Sequence, residues 1–296
     1  MLRAQELGVI ALEDSIAMPF PVENPHLQGR EVTYLDLAHH MSGIVDSQRY
    51  DCAYVTEGGA AYLSPDDQTF CPDPPVADLE TFLAEYLTPE GSMYGEDNFA
   101  DVTTYAYSNV GAALAAASLG RATEAALGLD FIAFCDAEVF EPLSMDHTRW
   151  TRDALPDPEA AAIPHVFEDG FVPMPRYDLA TYPDGALYSS VDDLARYLAA
   201  IVPGRGAGVL ESESVDALLM FVDPGEDDSV EGQGVFWERY FGLVGHTGGD
   251  PGVATAIGYD PETEVGFVLL LNSTGPNTET LMLQVFDALL SFAEMM

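Results

Sequence analysis

The run Tyr105-Ala-Tyr-Ser-Asn-Val-Gly-Ala-Ala-Leu-Ala-Ala-Ala constrains this chain more than any other stretch. From Val110 to Gly120 it holds no charged residue, so it reads as a buried helix with Gly120 as its stop. At 296 residues, 48% of them apolar, the chain can bury the core such a helix needs. Tyr107-Ser108-Asn109 opens the run, after the polar, turn-like Asp101-Val-Thr-Thr. A phenol at the mouth of a buried helix can trade a proton, and an amide can donate and accept at once. Two readings stand: Ser108 or Asn109 caps the helix with Tyr107 packed beside it, or the triplet belongs to a site.

Charge narrows the function. Fifty acidic and ten basic side chains give a net charge of −40, and the basic residues are all Arg, with no Lys anywhere. That excludes a basic nucleic-acid surface. Such a surplus repels itself unless salt screens it. It suggests a salt-adapted or marine source, or else coding bias with an acidic surface. No run of about 18 apolar residues exists, so the sequence predicts no membrane-spanning helix. No basic n-region followed by an apolar stretch opens the chain, so no signal peptide is expected within it. Cys52 and Cys71 flank a Gly-, Pro- and Asp-rich segment suited to a disulfide in an oxidising compartment; two free thiols is the alternative. Cys135, in Phe131-Ile-Ala-Phe-Cys, reads as a buried inert thiol.

Residues 1–12 read as a helix end and turn, and 16–30 as a loop. Thr33 with Asp36 predicts a capping box for a short helix through His40. Residues 44–75 read as irregular. Ala77 to Leu87 is amphipathic, with Leu79, Phe82, Leu83 and Tyr86 on one face. A helix is expected from about Leu129 to Phe140, and Pro-rich residues 151–185 are expected to wrap the surface. Ser190 with Asp193 predicts the start of a helix to Ile201, and Glu211 to Phe221 another. The period then changes. Phe241 to Thr247, Gly252 to Tyr259 and Val265 to Asn272 read as strands, with Asp260-Pro-Glu-Thr as the hairpin turn between the last two. Thr278 to Met296 is a closing amphipathic helix.

Four segments together carry a resemblance. They are Tyr34-Leu-Asp-Leu-Ala-His-His-Met-Ser-Gly; Tyr107-Ser-Asn followed by Phe140-Glu-Pro-Leu-Ser-Met-Asp-His-Thr; Tyr182-Pro-Asp-Gly-Ala-Leu-Tyr-Ser-Ser-Val-Asp-Asp-Leu-Ala-Arg; and Gly245-His-Thr-Gly-Gly-Asp-Pro-Gly. In order and spacing they resemble the serine β-lactamase-like family of class C β-lactamases, serine DD-peptidases and related esterases. The resemblance implies an α+β, β-lactamase/transpeptidase-like fold: an antiparallel sheet flanked by helices, plus an all-helical lobe. It implies a single domain over 1–296, with the helical lobe at about 30–235 and the C-terminal strands and helix at about 236–296. The family's N-terminal strands are absent from the sequence, which predicts an uncovered sheet edge.

The family's Ser-x-x-Lys nucleophile motif is also absent, as a chain without lysine requires. Leu2 to Ile16 resembles the end of the nucleophile helix and the turn after it, which places that serine about ten residues upstream of Met1. Either the reading frame begins upstream, or the protein is a remnant. By the resemblance, Tyr107 is base and proton relay, a role for which a phenol needs a nearby cation at neutral pH. Asn109 holds the substrate's amide or the catalytic lysine. His246 stands where many relatives have lysine, and Thr247, Gly248 and Gly249 bind substrate, with the Gly249 N–H as an oxyanion donor. These residues are expected to converge on one cleft. Asn272 faces a substrate carboxylate or caps a strand end. Ser42 lacks a Lys three residues on and reads as a structural turn. Adjacent His39 and His40 point apart on a helix, so no metal is expected, and no cofactor.

The parent function so implied is a serine hydrolase of β-lactam, D-peptide or ester bonds through an acyl-enzyme. The alternatives are an inactive relative that binds peptides and a purely structural module. The expected partner is a small-molecule or peptide substrate, with oligomeric state open. A periplasmic or extracellular location is expected for the full-length parent.

Overall fold

A computed structural model describes residues 1–22, 24–27, 29–56, 59–60, 62, 71–100, 105–202, 208–225 and 230–293. In chain order its elements are α1 (Leu2–Glu6), α2 (Tyr34–Ala38), β1 (Tyr54–Thr56), α3 (Leu79–Leu87), α4 (Asn109–Leu127) and α5 (Phe131–Cys135). There follow β2 (His165–Phe167), β3 (Phe171–Pro173), β4 (Tyr177–Leu179), α6 (Val191–Ile201) and α7 (Ser212–Leu218). The C-terminal part holds β5 (Gly232–Gln233), β6 (Glu238–Tyr240), β7 (Leu243–Asp250), β8 (Val253–Tyr259), β9 (Gly266–Leu271), β10 (Ser273–Thr274) and α8 (Thr278–Ala293). The chain forms two compact units. One comprises Met1–Val139, Tyr177–Leu187 and Val222–Asp227; the other comprises Phe140–Arg176, Tyr188–Phe221 and Asp228–Met296.

The first unit is built around α4, whose Val110, Ala113, Leu114, Ala115 and Leu119 are buried. Ser118, fully enclosed, satisfies its hydroxyl against Tyr34 Oη at 2.7 Å and accepts the Ala17 N–H at 3.0 Å, tying α2 and the N-terminal loop to the helix. The capping box forms as expected: Thr33 accepts the Asp36 N–H, and Asp36 accepts the Thr33 N–H. The expected stop at Gly120 is corrected. The helix runs on to Leu127 and ends at Gly128, whose φ of 74° is the left-handed cap that glycine favours. Gly120 is there for a close approach: a Cβ on it would stand 3.0 Å from the Phe131 Cβ of α5.

Three other expectations change. The helix expected through His40 stops at Ala38, because His40 adopts φ 53°. Cys135 is half-exposed, since Phe134, about 100° round the helix, takes the core position at 2% exposure. Residues 44–75 are not wholly irregular. A turn of 3-10 helix, Gln48–Ala53, leads into β1, which pairs antiparallel with β4 from Tyr54↔Leu179 to Thr56↔Tyr177. Strands of three residues are too short to show alternation in sequence. Cys52 and Cys71 are joined in a disulfide, with Cα atoms 5.4 Å apart.

The second unit carries an antiparallel sheet in the order β5-β6-β7-β8-β9. The β7, β8 and β9 segments are those the sequence indicates, while β5 and β6 escape it through shortness. Side chains alternate across β9. Phe267 packs with Phe286 and Met282 of α8, ring centroids of the two phenylalanines 4.7 Å apart. Gly266 lies under α6, where a Cβ would come within 2.6 Å of Leu198. Helices thus flank both faces, and the α+β arrangement is as expected. β9 is the outer strand of this sheet among the described residues, and Gly266-Phe-Val-Leu-Leu-Leu contains no charge. Residues 151–185 do not simply wrap the surface. They supply the β2–β3 hairpin, with β10 parallel to β2, and also β4.

Two of the sequence motifs meet in a polar knot in this unit. Asp193, fully buried, accepts the His147 N–H at 2.8 Å and the Thr148 hydroxyl at 2.9 Å, and pairs with Arg196 at 2.8 Å. A buried carboxylate is tolerated only with partners of this kind. Ser190 caps α6 by accepting the Asp193 N–H.

Candidate functional site

A helix leaves its first N–H groups without intrahelical acceptors. At the head of α4 each has a side-chain acceptor. The Ser108 N–H donates to His40 Nδ1 at 3.1 Å. The Asn109 and Val110 N–H groups donate to the two oxygens of Asp46 at 2.8 and 3.0 Å. The Gly111 N–H donates to Ser108 Oγ at 2.9 Å, and that hydroxyl donates to Asp46 at 3.1 Å. Ser108 is therefore the cap, and the carboxylate sits where the helix dipole is positive. Burial pushes the Asp46 carboxyl above its ordinary range; the Asn109 and Val110 N–H groups and the Ser108 and Asn109 side chains pull it back without cancelling the rise.

Tyr107 and Asn109 are brought together. The Tyr107 hydroxyl donates to Asn109 Oδ1 at 3.2 Å, and the residue is 39% exposed. Beneath it lies His40, 2% exposed, whose ring centroid is 4.5 Å from that of Tyr107 and 6.0 Å from that of Tyr105. Asp46 is held in its turn by Tyr86. The buried Tyr86 hydroxyl donates to Val45 O at 2.9 Å and accepts the Ser47 N–H at 2.8 Å, gripping both neighbours of the aspartate. Burial pushes the Tyr86 phenol up to about 12, so it stays protonated and structural.

The second group lies on β7, in the other unit. β7 pairs with β8 along Val244–Asp250, but with β6 only as far as Gly245. From His246 to Asp250 its other edge borders no strand among the described residues. Thr247, Gly248 and Gly249 are exposed there. The His246 ring is half-exposed and its Nδ1 lies 2.6 Å from the Thr247 carbonyl. A Cβ on Gly248 would strike the Thr255 hydroxyl unless that side chain turned aside. Gly249 faces open space, with nothing within 4 Å of its Cβ position.

Other sequence candidates are structural. Asn272 donates to Ile163 O at 2.9 Å while its carbonyl accepts the His165 N–H at 2.9 Å, which makes it a link to β2. Ser42, 1% exposed, accepts the Ile44 N–H at 3.2 Å in a turn. Among the described residues no three His, Cys, Asp or Glu side chains are gathered as metal ligands, and no helix is long and apolar enough to cross a membrane.

Asp46 was not legible as a site residue, and His40 only as half of a doubtful pair. Asp46 reaches its partners across 62 to 64 positions, and no local spacing announces such contacts.

The profile of the Beta-lactamase family matches residues 1–291. A human beta-lactamase-like protein is 31% identical over 172 residues, which is 56% of this chain and 34% of that protein. The chain thus spans about a third of the length of that relative. Among solved structures, it is similar to the octameric penicillin-binding protein homologue from Pyrococcus abyssi, with TM-score 0.69 and 24% identity, over 92% of this chain and 58% of the other. The penicillin-binding protein from Bacillus halodurans gives TM-score 0.67 and 20% identity, over 97% of this chain and 81% of the other. At those identities the structures attest the fold, while the profile match over nearly the whole length attests the family. The chain belongs to the beta-lactamase family.

Proposed function

We propose that this chain carries the proton-relay and substrate-holding parts of a serine hydrolase that cleaves β-lactam, D-peptide or ester bonds through an acyl-enzyme. Its nucleophile is not among these residues. The observation that carries the reading is the Tyr107–Asn109 pair, bonded at 3.2 Å on a fully capped helix head. Nothing in core packing calls for a 39% exposed tyrosine so firmly based. Tyr107 moves the proton between nucleophile and leaving group, and Asn109 orients the substrate amide. From Thr247 to Gly249, the edge of β7 that borders no strand among the described residues offers backbone N–H and C=O groups to an extended substrate, as an edge strand does to any added strand. Gly249, with open space before it, supplies an N–H to the developing oxyanion, and His246 donates or accepts at the same edge. Thr247 and Gly248 line that edge.

No Ser-x-x-Lys can be formed from a sequence without lysine, and this favours a second reading for the chain by itself: a relative that binds peptides without cleaving them. Intact-mass analysis after incubation with a penicillin or a fluorophosphonate separates the cases. The present chain should gain no adduct. An adduct on one of its own serines would overturn the placement of the nucleophile elsewhere. If codons preceding Met1 encode Ser-x-x-Lys, the protein carrying them should be acylated there, and Tyr107→Phe should slow acylation by about 10²- to 10⁴-fold. Acylation untouched by that substitution would remove Tyr107 from the mechanism.

A further inference from the structure

We infer that His40 is the positioning residue that aims Tyr107. The inference rests on the role given to Tyr107 above and adds the device that holds it. His40 grips the chain on both sides of the tyrosine. Its carbonyl accepts the Ala106 N–H at 2.8 Å, and its Nδ1 accepts the Ser108 N–H at 3.1 Å. The ring then lies against the Tyr107 ring, centroids 4.5 Å apart and planes tilted by 36°. His40 thus presents both its carbonyl and its side chain to neighbouring links of one passing segment. His40 does so at φ 53°, the left-handed region that non-glycine residues rarely occupy. That conformation costs of order 1 kcal/mol and is characteristic of positions where surrounding structure over-determines it.

The tautomer follows from the geometry. To accept the Ser108 N–H, Nδ1 carries a lone pair, and the ring proton is then on Nε2. A cationic ring would point an N–H at an N–H and break the grip. Among the described residues, the charged and ionisable groups seen at this joint are Asp46, which holds Ser108, Asn109 and Val110; Tyr105 and Tyr107 against the ring; and the neighbouring His39, whose pKa burial lowers against the pull of Asp36. Core packing alone would be served by any apolar side chain of similar size. An acceptor aimed at one N–H, on a strained backbone, under an exposed phenol, is a more specific arrangement.

The test reads the phenol directly and needs no substrate. The full chain is labelled with 3-fluorotyrosine, and the Tyr107 resonance is identified among those of the 14 tyrosines by its loss in Tyr107→Phe. His40→Gly removes the ring and the acceptor while relieving the backbone strain, and dispersed resonances from the other tyrosines of the same unit, Tyr34 and Tyr86 among them, check that the fold is kept. It should shift and broaden the Tyr107 resonance and leave those of Tyr240 and Tyr259, on the sheet, in place. His40→Asn tolerates the left-handed region and offers an amide oxygen to the Ser108 N–H, so it should restore the sharp line in part. A Tyr107 resonance unchanged in His40→Gly would overturn the inference, as would a His40→Asn no better than His40→Gly. The outcome is separable from that of the proposed function. A displaced resonance together with acylation indifferent to Tyr107→Phe would sink the function and keep the positioning; the reverse pair would do the opposite.

Discussion

Asp46→Ala is the substitution with the most to reveal. It removes the acceptor of three donors at once: the Ser108 hydroxyl and the Asn109 and Val110 N–H groups, at 3.1, 2.8 and 3.0 Å. A hydrogen bond to a charged group contributes about 1.5 to 3 kcal/mol net, and a charge at a helix terminus about 0.3 to 1 kcal/mol. Three such bonds suggest roughly 4.5 to 9 kcal/mol as an upper bound. Two effects reduce it: the site is only part-buried, so water can reach the freed donors, and removing the carboxylate also removes its burial cost. A loss of about 3 kcal/mol is expected. Because the chain forms two compact units, amide hydrogen exchange at Asn109 and Val110 reads this better than a global melt. At 1.4 kcal/mol per decade, protection there should fall about 100-fold. Asp97→Ala is the control, since its side chain is 63% exposed and its pairing with Arg49 is solvated; protection should stay within a few-fold. A loss under fivefold at Asn109 and Val110 would refute the claim that Asp46 holds the helix head. The pH dependence has a definite sign. The folded carboxyl titrates above its ordinary value of 3.8, so the folded state holds this proton more tightly than the unfolded state does. Stability from this group therefore rises as pH falls through the raised folded value and is complete below 3.8. Wild type should gain on Asp46→Ala over that window. A gap that narrows instead would mean that the donors outweigh the burial.

Two further outcomes are expected. Thermal midpoints should rise by several degrees from low to molar KCl, because 50 acids against 10 arginines leave most carboxylates unpaired, and the screening length falls from about 10 Å at 0.1 M to about 3 Å at 1 M; a flat or falling midpoint would mean the carboxylates scarcely repel one another. Gly249→Ala should leave the melt unchanged, since its Cβ meets nothing within 4 Å; in any longer form that carries Ser-x-x-Lys it should slow acylation at least tenfold, and unaltered acylation there would take the Gly249 edge out of the substrate's path.

What was legible in the sequence follows from the range of each interaction. Caps at Thr33, Ser108 and Ser190 are local, within three residues, and were readable. The long β7, β8 and β9 strands announce themselves by period; two- and three-residue strands cannot. Gly120 misled because a glycine that ends a helix and one that lets another helix approach look the same in one dimension. The Asp146-His-Thr and Ser-Val-Asp-Asp motifs were visible, yet their chemistry is internal, spent on the Asp193 knot. Asp46, His40 and Tyr86 form their contacts across 39 to 68 positions, and only the folded chain reveals them.

The outer strand β9 carries a consequence for handling the protein. Its six residues are Gly, Phe, Val and Leu, with no lysine, proline or bulge to deter a second strand from docking edge to edge. What keeps two such molecules apart at low ionic strength is colloidal: each carries −40 charges, and their fields overlap before their edges meet. Molar salt collapses those fields to about 3 Å. The condition that relaxes repulsion within a molecule therefore also lifts the barrier between molecules. Concentrated protein in strong salt should be the more resistant to heat and the readier to form oligomers, so the ionic strength best for storage lies below the one best for folding.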